Sequence, residues 1–438
     1  MPPAVGVANN GDFSKTYGRF NLTEPVADEA KFADTKFFFD SNAHYRSPFY
    51  SSEQLFLIPA LVLNRIVSKD GTFDLRLIGV VHAALLLYTA WLFPPLLSNT
   101  PRPMRLATYI LALLIFGDVM YVAYLNSFFM DVAAYLCLLL GTVLFLRTVR
   151  WQRMADTILL ALCCVVMTTA KAQHAALGFW AALLIGLSLS RNALRVGLFA
   201  GCLAVLAIVW VTAATPPEYS LRGCFTMVFY QILPHAKNPD RTAADLGLGS
   251  SYRQYIGLHS FSAGSPMDDP RFRAEFSRTI SYGTLAWFFL SHPRDTYTAL
   301  RNSLDDAGRQ RPILGNFDVK AGLPPLAESQ SFALWSGLKR RLFEHHGSRF
   351  LFCSLGVGTA VGVLLFCERR RLDRGAFWGG YALIGMMATE LAISSLADAV
   401  DVARHHLLFY AIFDLLLIVG VCLVASRFSS HSPGRGYR

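Results

Sequence analysis

Asp12, Asp40, His44, Asp131, Lys171, His174, Arg404, His405 and His406, with Asn126 and Gln173 beside them, are polar side chains set against long apolar stretches of the sequence. An ionisable group costs about 2.5 to 3.5 kcal/mol at the centre of a membrane span and less toward its ends, so groups in such places need a compensating role. This set mixes carboxylates with cations. A carboxylate can deprotonate an acceptor hydroxyl while cations steady a departing phosphate, which is what transfer of a group from a membrane-bound phosphate carrier requires. A prenyl monophosphate is already a fair leaving group. Such a site therefore needs a base and a phosphate clamp, but neither a strong general acid nor a nucleotide-binding loop, and the chain carries no Walker motif.

Each residue also has a plainer reading. Asp12 follows Asn9-Asn10-Gly11 and could close an Asx turn. Asp40 and His44 are spaced to share a helix face; they could be two ligands of a divalent cation or a solvated pair. Asp131 stands where a helix-capping carboxylate would offset the helix dipole. Lys171, at the end of a span, could simply snorkel to the interface. Arg404 is the cation hardest to explain this way, because it lies on the side of the membrane that arginine normally avoids. Deeper in the apolar stretches lie His82, Asp118, Glu390 and Asp414. By helix rise Asp414 is about 15 Å below Arg404, as an interhelical partner or part of an ion path.

The elements that must position these residues are membrane spans. The apolar fraction is 53% and only 16% of residues are charged, far from a soluble domain of this length. A span takes roughly 20 apolar residues, and about nine stretches qualify, near 74–97, 105–125, 130–147, 155–171, 175–190, 195–214, 349–367, 376–396 and 405–425. The net charge of +10 does not form a nucleic-acid patch with interleaved aromatics. Instead Arg102 and Arg105, then Arg147, Arg150 and Arg153, then Arg191 and Arg195, then Arg369, Arg370, Arg371 and Arg374, and lastly Arg427, Arg435 and Arg438 fall in alternate connections. The positive-inside rule makes those connections cytoplasmic and puts the mixed polar set on the opposite side.

The expected organisation has four parts. Residues 1–73 form a first outer loop with an interfacial helix over Leu55 to Val67, which Pro59, Asn64 and Arg65 disqualify as a span. Six spans occupy 74–214, a polar outer lobe occupies 215–348 with an amphipathic helix near Phe276 to Leu290, and three spans and a cytoplasmic tail occupy 349–438. The alternation puts the first loop outside with no span before it, so a further span upstream of Met1 is expected. Most of the eight cysteines, among them Cys137, Cys163, Cys164, Cys202, Cys353, Cys367 and Cys422, lie in apolar spans and make no CxxC pair, so no disulfide framework or zinc ribbon is expected. Gly356, Gly358 and Gly362 superficially match a dinucleotide loop, but without a preceding strand they read as helix-packing residues.

The segments Val7 to Phe13, Tyr124 to Asp131, Lys171 to His174 and Arg404 to Phe409 resemble those of bacterial hexose transferases of cell-wall and S-layer glycan assembly. The whole arrangement is similar to the GT-C class of membrane glycosyltransferases. The resemblance implies an all-α polytopic bundle with a polyprenyl-phosphate sugar as donor and a glycan or glycolipid as acceptor, in a bacterial plasma membrane. Asp12 would be the catalytic base, and Asp131 the second acidic element, which shapes the site or, in some members, binds a metal. Lys171 and Arg404 would face the lipid phosphate, with Gln173 and His405 as supporting donors; Asp40 and Asn126 complete the substrate-binding set. No cofactor is required, with room for a divalent cation. The departure from the class is the missing first span, which would anchor the loop bearing Asp12. Two rivals stand beside this reading: a glycan polymerase or ligase using diphosphate-linked lipid oligosaccharides, and a lipid-sugar transporter, for which Glu390 and Asp414 are the encouragement.

Overall fold

The structure, a computed structural model, describes residues 3–24, 30–40, 48–98, 100–188 and 193–430. His44, Arg191, Arg435 and Arg438 lie outside them. Among the described residues, six helices are long and apolar enough to cross a membrane: Arg76–Leu97, Asp131–Trp151, Leu194–Ala213, Gly347–Glu368, Arg374–Leu396 and Leu407–Ala425. A seventh position, Arg102–Phe116 with Val119–Leu125, is bent by 50°. Two more apolar helices, Met154–Ala170 and Ala172–Ser188, are short. The chain is an all-α polytopic membrane protein. The nine apolar stretches thus resolve into six full-length helices, one broken pair and two short helices.

Burial sorts the helices into an inner and an outer set. The apolar stretch of Asp131–Trp151 is 78% buried and that of Leu194–Ala213 only 11%, so the first runs through the bundle and the second lines its edge. Gly358 and Gly362 do the packing read from their spacing: a Cβ at Gly358 would meet Met387 and Ile384, and one at Gly362 would meet Ile384 and Tyr381. Gly356 faces open space.

The break in the bent pair has a local cause. Asp118 caps the second segment through the Met120 amide at 2.9 Å, and its other oxygen accepts from the Ser336 amide at 2.8 Å. Ser336 belongs to the helix Leu334–Phe343, which is seated in the bundle by Lys339. Lys339 Nζ lies 2.9 Å from Asp414 Oδ2, which also accepts from Tyr121 and Trp335 at 2.7 and 2.9 Å. Asp414 Oδ2 is therefore a structural acceptor shared by three donors, and its cation comes from the 215–348 segment, not from a neighbouring span.

That segment has a hydrophobic core of its own, with Phe225, Phe229, Met267, Phe276, Leu285 and Phe288 buried together. The single amphipathic helix expected near Phe276 to Leu290 is instead two, Pro270–Thr279 and Tyr282–Ser291. Ile280 is extended, and the Ser281 hydroxyl caps the second helix by accepting from the Thr284 amide at 3.1 Å. Side-chain capping satisfies an orphan amide and fixes where a helix starts.

The N-terminal part of the chain makes a small antiparallel sheet of Leu22–Thr23, Lys36–Phe39 and Thr72–Asp74. The helix Gln54–Val67 follows its second strand; it buries Leu57, Ala60 and Asn64 and turns Leu55, Ile58, Val62 and Ile66 outward. Within the Phe37 to Phe39 run, Phe37 is buried while Phe38 and Phe39 are exposed.

Candidate functional site

The loop bearing Asp12 is built by its neighbours. Asn9 Oδ1 accepts from the amides of Gly11 at 3.0 Å and Phe13 at 2.9 Å, and Asn10 Oδ1 accepts from the Asp12 amide at 3.3 Å. Gly11 sits at φ +93°, where only glycine is comfortable. The Asx turn read for Asp12 is thus made by the two asparagines before it, which leaves the Asp12 carboxylate free to point elsewhere.

Phe13 then drives into an aromatic nest, with ring centroids 4.8 Å from Phe129, 5.5 Å from Phe128 and 6.4 Å from Phe37. Thr16 donates to the Phe128 carbonyl at 2.7 Å. Upstream, Gly6 and Ala8 donate to Asn316 and Gly315 at 3.0 and 2.8 Å, and Asn126 Nδ2 donates to the Val5 carbonyl at 2.7 Å. The loop is therefore held by contacts of its own with residues 126–128 and 315–316.

Four separate pieces of chain meet at Asp12. Arg404 Nη2 is 2.7 Å from its Oδ2, and Lys15, one turn further along, pairs with its Oδ1. The Arg404 guanidinium is shared: Nε is 2.6 Å from Asp401, Nη1 is 3.6 Å from Asp131 Oδ2, and its face lies 4.7 Å over the Phe129 ring. Asp131 opens the helix Asp131–Trp151 without capping it. Its place in the first turn still sets its charge against the helix dipole, but its Oδ1 takes Lys171 at 3.0 Å and His174 at 2.9 Å, so Lys171 is engaged at the cluster and does not simply snorkel.

Lys171 also reaches His405 Nδ1 at 3.1 Å, and Gln173 donates to the His405 carbonyl at 2.8 Å. From the 215–348 segment, Tyr219 stacks its ring 4.0 Å from Lys15 Nζ and bonds that amine through its hydroxyl. Asp131 and the arginines Arg147 and Arg150 lie near opposite ends of one helix, separated by about 25 to 30 Å by helix rise. The cluster thus occupies one end of the bundle and the arginine-rich turns the other.

Burial sets the electrostatics. The side chains of Arg404 and Asp131 are 4% and 1% exposed, whereas Asp12, Lys171 and Asp401 keep 14%, 13% and 16%, so access is from that rim. Burial would raise the Asp12 carboxyl, but Arg404 and Lys15 outweigh it and hold it well below the usual carboxylate range. Burial pulls Lys15 down to about 8, against the opposing pull of Asp12. Burial also raises Asp401 despite the Arg404 charge, and it lowers His405, with Lys171 and Arg404 adding to the effect, so His405 is neutral. Asp401 sits at φ +54°, a strained position for a residue other than glycine, and receives Asn10 Nδ2 at 2.6 Å.

Of the residues read from the sequence, Asp12, Asp131, Lys171, Gln173, Arg404 and His405 come together. Asp40 follows the strand Lys36–Phe39, and its amide donates to the Asn21 carbonyl at 2.9 Å. Its proposed partner His44 is outside the described residues. Asn126 spends its side-chain amide on Val5, which makes it a brace for the Asp12 loop. His406 bonds Ser395 at 3.0 Å and the Val402 carbonyl at 2.9 Å inside the bundle. Lys15, Asp401 and Tyr219 were missed. The three-residue spacings Asp12 to Lys15 and Asp401 to Arg404 were readable as pairs within a helical turn; nothing pointed to Tyr219. Among the described residues, no three His, Cys, Asp or Glu side chains are grouped to hold a metal ion.

Fold and site together define a multi-pass membrane protein with a cluster of paired charges at one end of its bundle. Residues 1–433 match the family described as the YfdI N-terminal transmembrane domain, and the chain belongs to that family. No curated protein and no solved structure matches it.

Proposed function

We propose that this protein is an inverting glycosyltransferase that moves a hexose from a polyprenyl-phosphate sugar to an acceptor glycan at the outer face of a bacterial plasma membrane. Membership of the YfdI transmembrane family supports a membrane glycosyltransferase-like protein. The observation that carries the finer reading is the 2.7 Å contact between Asp12 and Arg404, with Lys15 and Lys171 beside it. In the resting site, carboxylates occupy the cations that a lipid phosphate would claim. An apolar cavity of about 170 Å³ lies between the helices, its wall running from Cys137 along to Leu146 and on to Leu372 and Ala376 beside the arginine-rich turn.

The chemistry follows from competition for charge. Arg404 and Lys15 make Asp12 a weak base while they pair with it. A donor phosphate that draws these cations to itself removes that pull, so Asp12 gains basicity once donor is bound. Asp12 then takes the acceptor proton, the hydroxyl oxygen attacks the anomeric carbon, and the phosphate leaves onto Arg404, Lys171 and Lys15. Water exclusion strengthens each of these interactions. Glu390 and Asp414, which would encourage a transporter, are engaged by His174 and Lys339.

The test is hexose transfer by the purified protein in nanodiscs, from labelled undecaprenyl phosphohexoses to acceptor lipids of the host membrane. Transfer by the wild type and none by a folded Asp12→Asn variant is expected. Undiminished turnover in the variant rejects Asp12 as base. Consumption of diphosphate-linked oligosaccharides alone favours the polymerase rival.

A further inference from the structure

Behind Asp131 lies a chain of buried groups that the reaction above does not use. His174 Nε2 is 2.9 Å from Asp131 Oδ1, and its Nδ1 is 3.0 Å from Glu390 Oε1 on the helix Arg374–Leu396. All three side chains are at most 1% exposed. A neutral imidazole carries one N–H and can donate to only one carboxylate. Two flanking carboxylates therefore need a proton on both ring nitrogens or on a carboxyl itself. In either case three helices fix the ring and, through it, the Asp131 carboxylate.

The two oxygens of Asp131 differ. Oδ1 is saturated by His174 and by Lys171 at 3.0 Å. Oδ2 is buried with no hydrogen-bond partner; Arg404 Nη1 stands 3.6 Å away. A buried acceptor left without a donor is costly, and a ligand hydroxyl would satisfy it. Saturating one oxygen from behind turns the other toward the cluster, beside the cations that would hold a phosphate.

We infer that Asp131 Oδ2 accepts a hydrogen bond from a hydroxyl of the transferred sugar, and that His174 and Glu390 are positioning residues that aim it. This rests on the reading of the cluster as a donor-sugar site. His174 and Glu390 then govern recognition of the sugar, while Arg404, Lys15 and Lys171 govern recognition of the phosphate.

The experiment measures affinity in nanodiscs for undecaprenyl phosphate and for its glucose, galactose and mannose esters, with wild type, His174→Gln and Glu390→Gln. The wild type should prefer at least one ester to the bare phosphate. Each variant should lose about tenfold of that preference with little change in affinity for the bare phosphate. Intact preference in both variants, or a parallel fall for all four lipids, overturns the positioning role. A wild type that prefers no ester overturns the donor-site reading itself. Should His174→Gln fail to elute as a folded protein, the near-isosteric Glu390→Gln decides alone.

Discussion

Lys15 gives the site a pH dependence that can be worked out in advance. Burial pulls its ammonium from 10.5 down to about 8, even with Asp12 favouring the charged form. The sign is that of a cation: charged below that value and neutral above it. At pH 7 about nine-tenths of the free protein carries this charge, and at pH 9 about one-tenth does. A hydrogen bond to a charged group is worth about 1.5 to 3 kcal/mol, so losing this cation should lower kcat/KM for the lipid donor about ten- to a hundredfold on the alkaline limb. Because kcat/KM reports the free enzyme, its limb should fall near pH 8, while a bound phosphate favours the ammonium and moves the limb of kcat to higher pH. Lys15→Arg keeps the charge across this range and should remove the limb. The assay is transfer rate at limiting donor from pH 6.5 to 9.5. A flat wild-type profile, or the same alkaline limb in Lys15→Arg, refutes the role of Lys15.

Arg404→Lys cannot reproduce the three-way contact with Asp12, Asp131 and Asp401, so it should abolish binding of undecaprenyl phosphate although the charge is kept, as measured by lipid-binding titration. Lys339→Met strands the Asp414 carboxylate and should lower stability by about 3 to 5 kcal/mol in detergent melts; adding Asp414→Asn, which still accepts from Tyr121 and Trp335, should restore much of it. Asn126→Ala frees the segment around Val5 and should slow turnover more than it weakens phosphate binding, since it loosens Asp12 and leaves Arg404 in place. Gly11→Ala forces a side chain into φ +93° and should also slow turnover, with only a small change in the overall melting temperature.

The parts of this protein that were legible in its sequence are those that the bilayer dictates. Apolar length and alternate arginines marked the helices and put Asp131, Lys171 and Arg404 at one end, because solvation in a membrane leaves few alternatives. The sequence did not show how the short helices meet. Nothing in the local pattern says that Asn126 braces Val5, that Tyr219 reaches across to Lys15, or that Lys339 leaves the 215–348 segment to pair with Asp414. Those contacts join residues far apart in the chain, and each residue alone has an ordinary surface reading. Ser281 ended a helix expected to continue, because a capping hydroxyl outweighs the apolar pattern around it.

The proposed activity requires the paired Asp12 and Arg404 side chains to be the resting form of a phosphate site. The most direct measurement is an experimental structure of the protein bound to undecaprenyl phosphate. The phosphate is expected on Arg404 and Lys171, with Asp12 and Arg404 drawn apart beyond their 2.7 Å contact. A lipid phosphate bound elsewhere on the protein, with that ion pair unbroken, would contradict it.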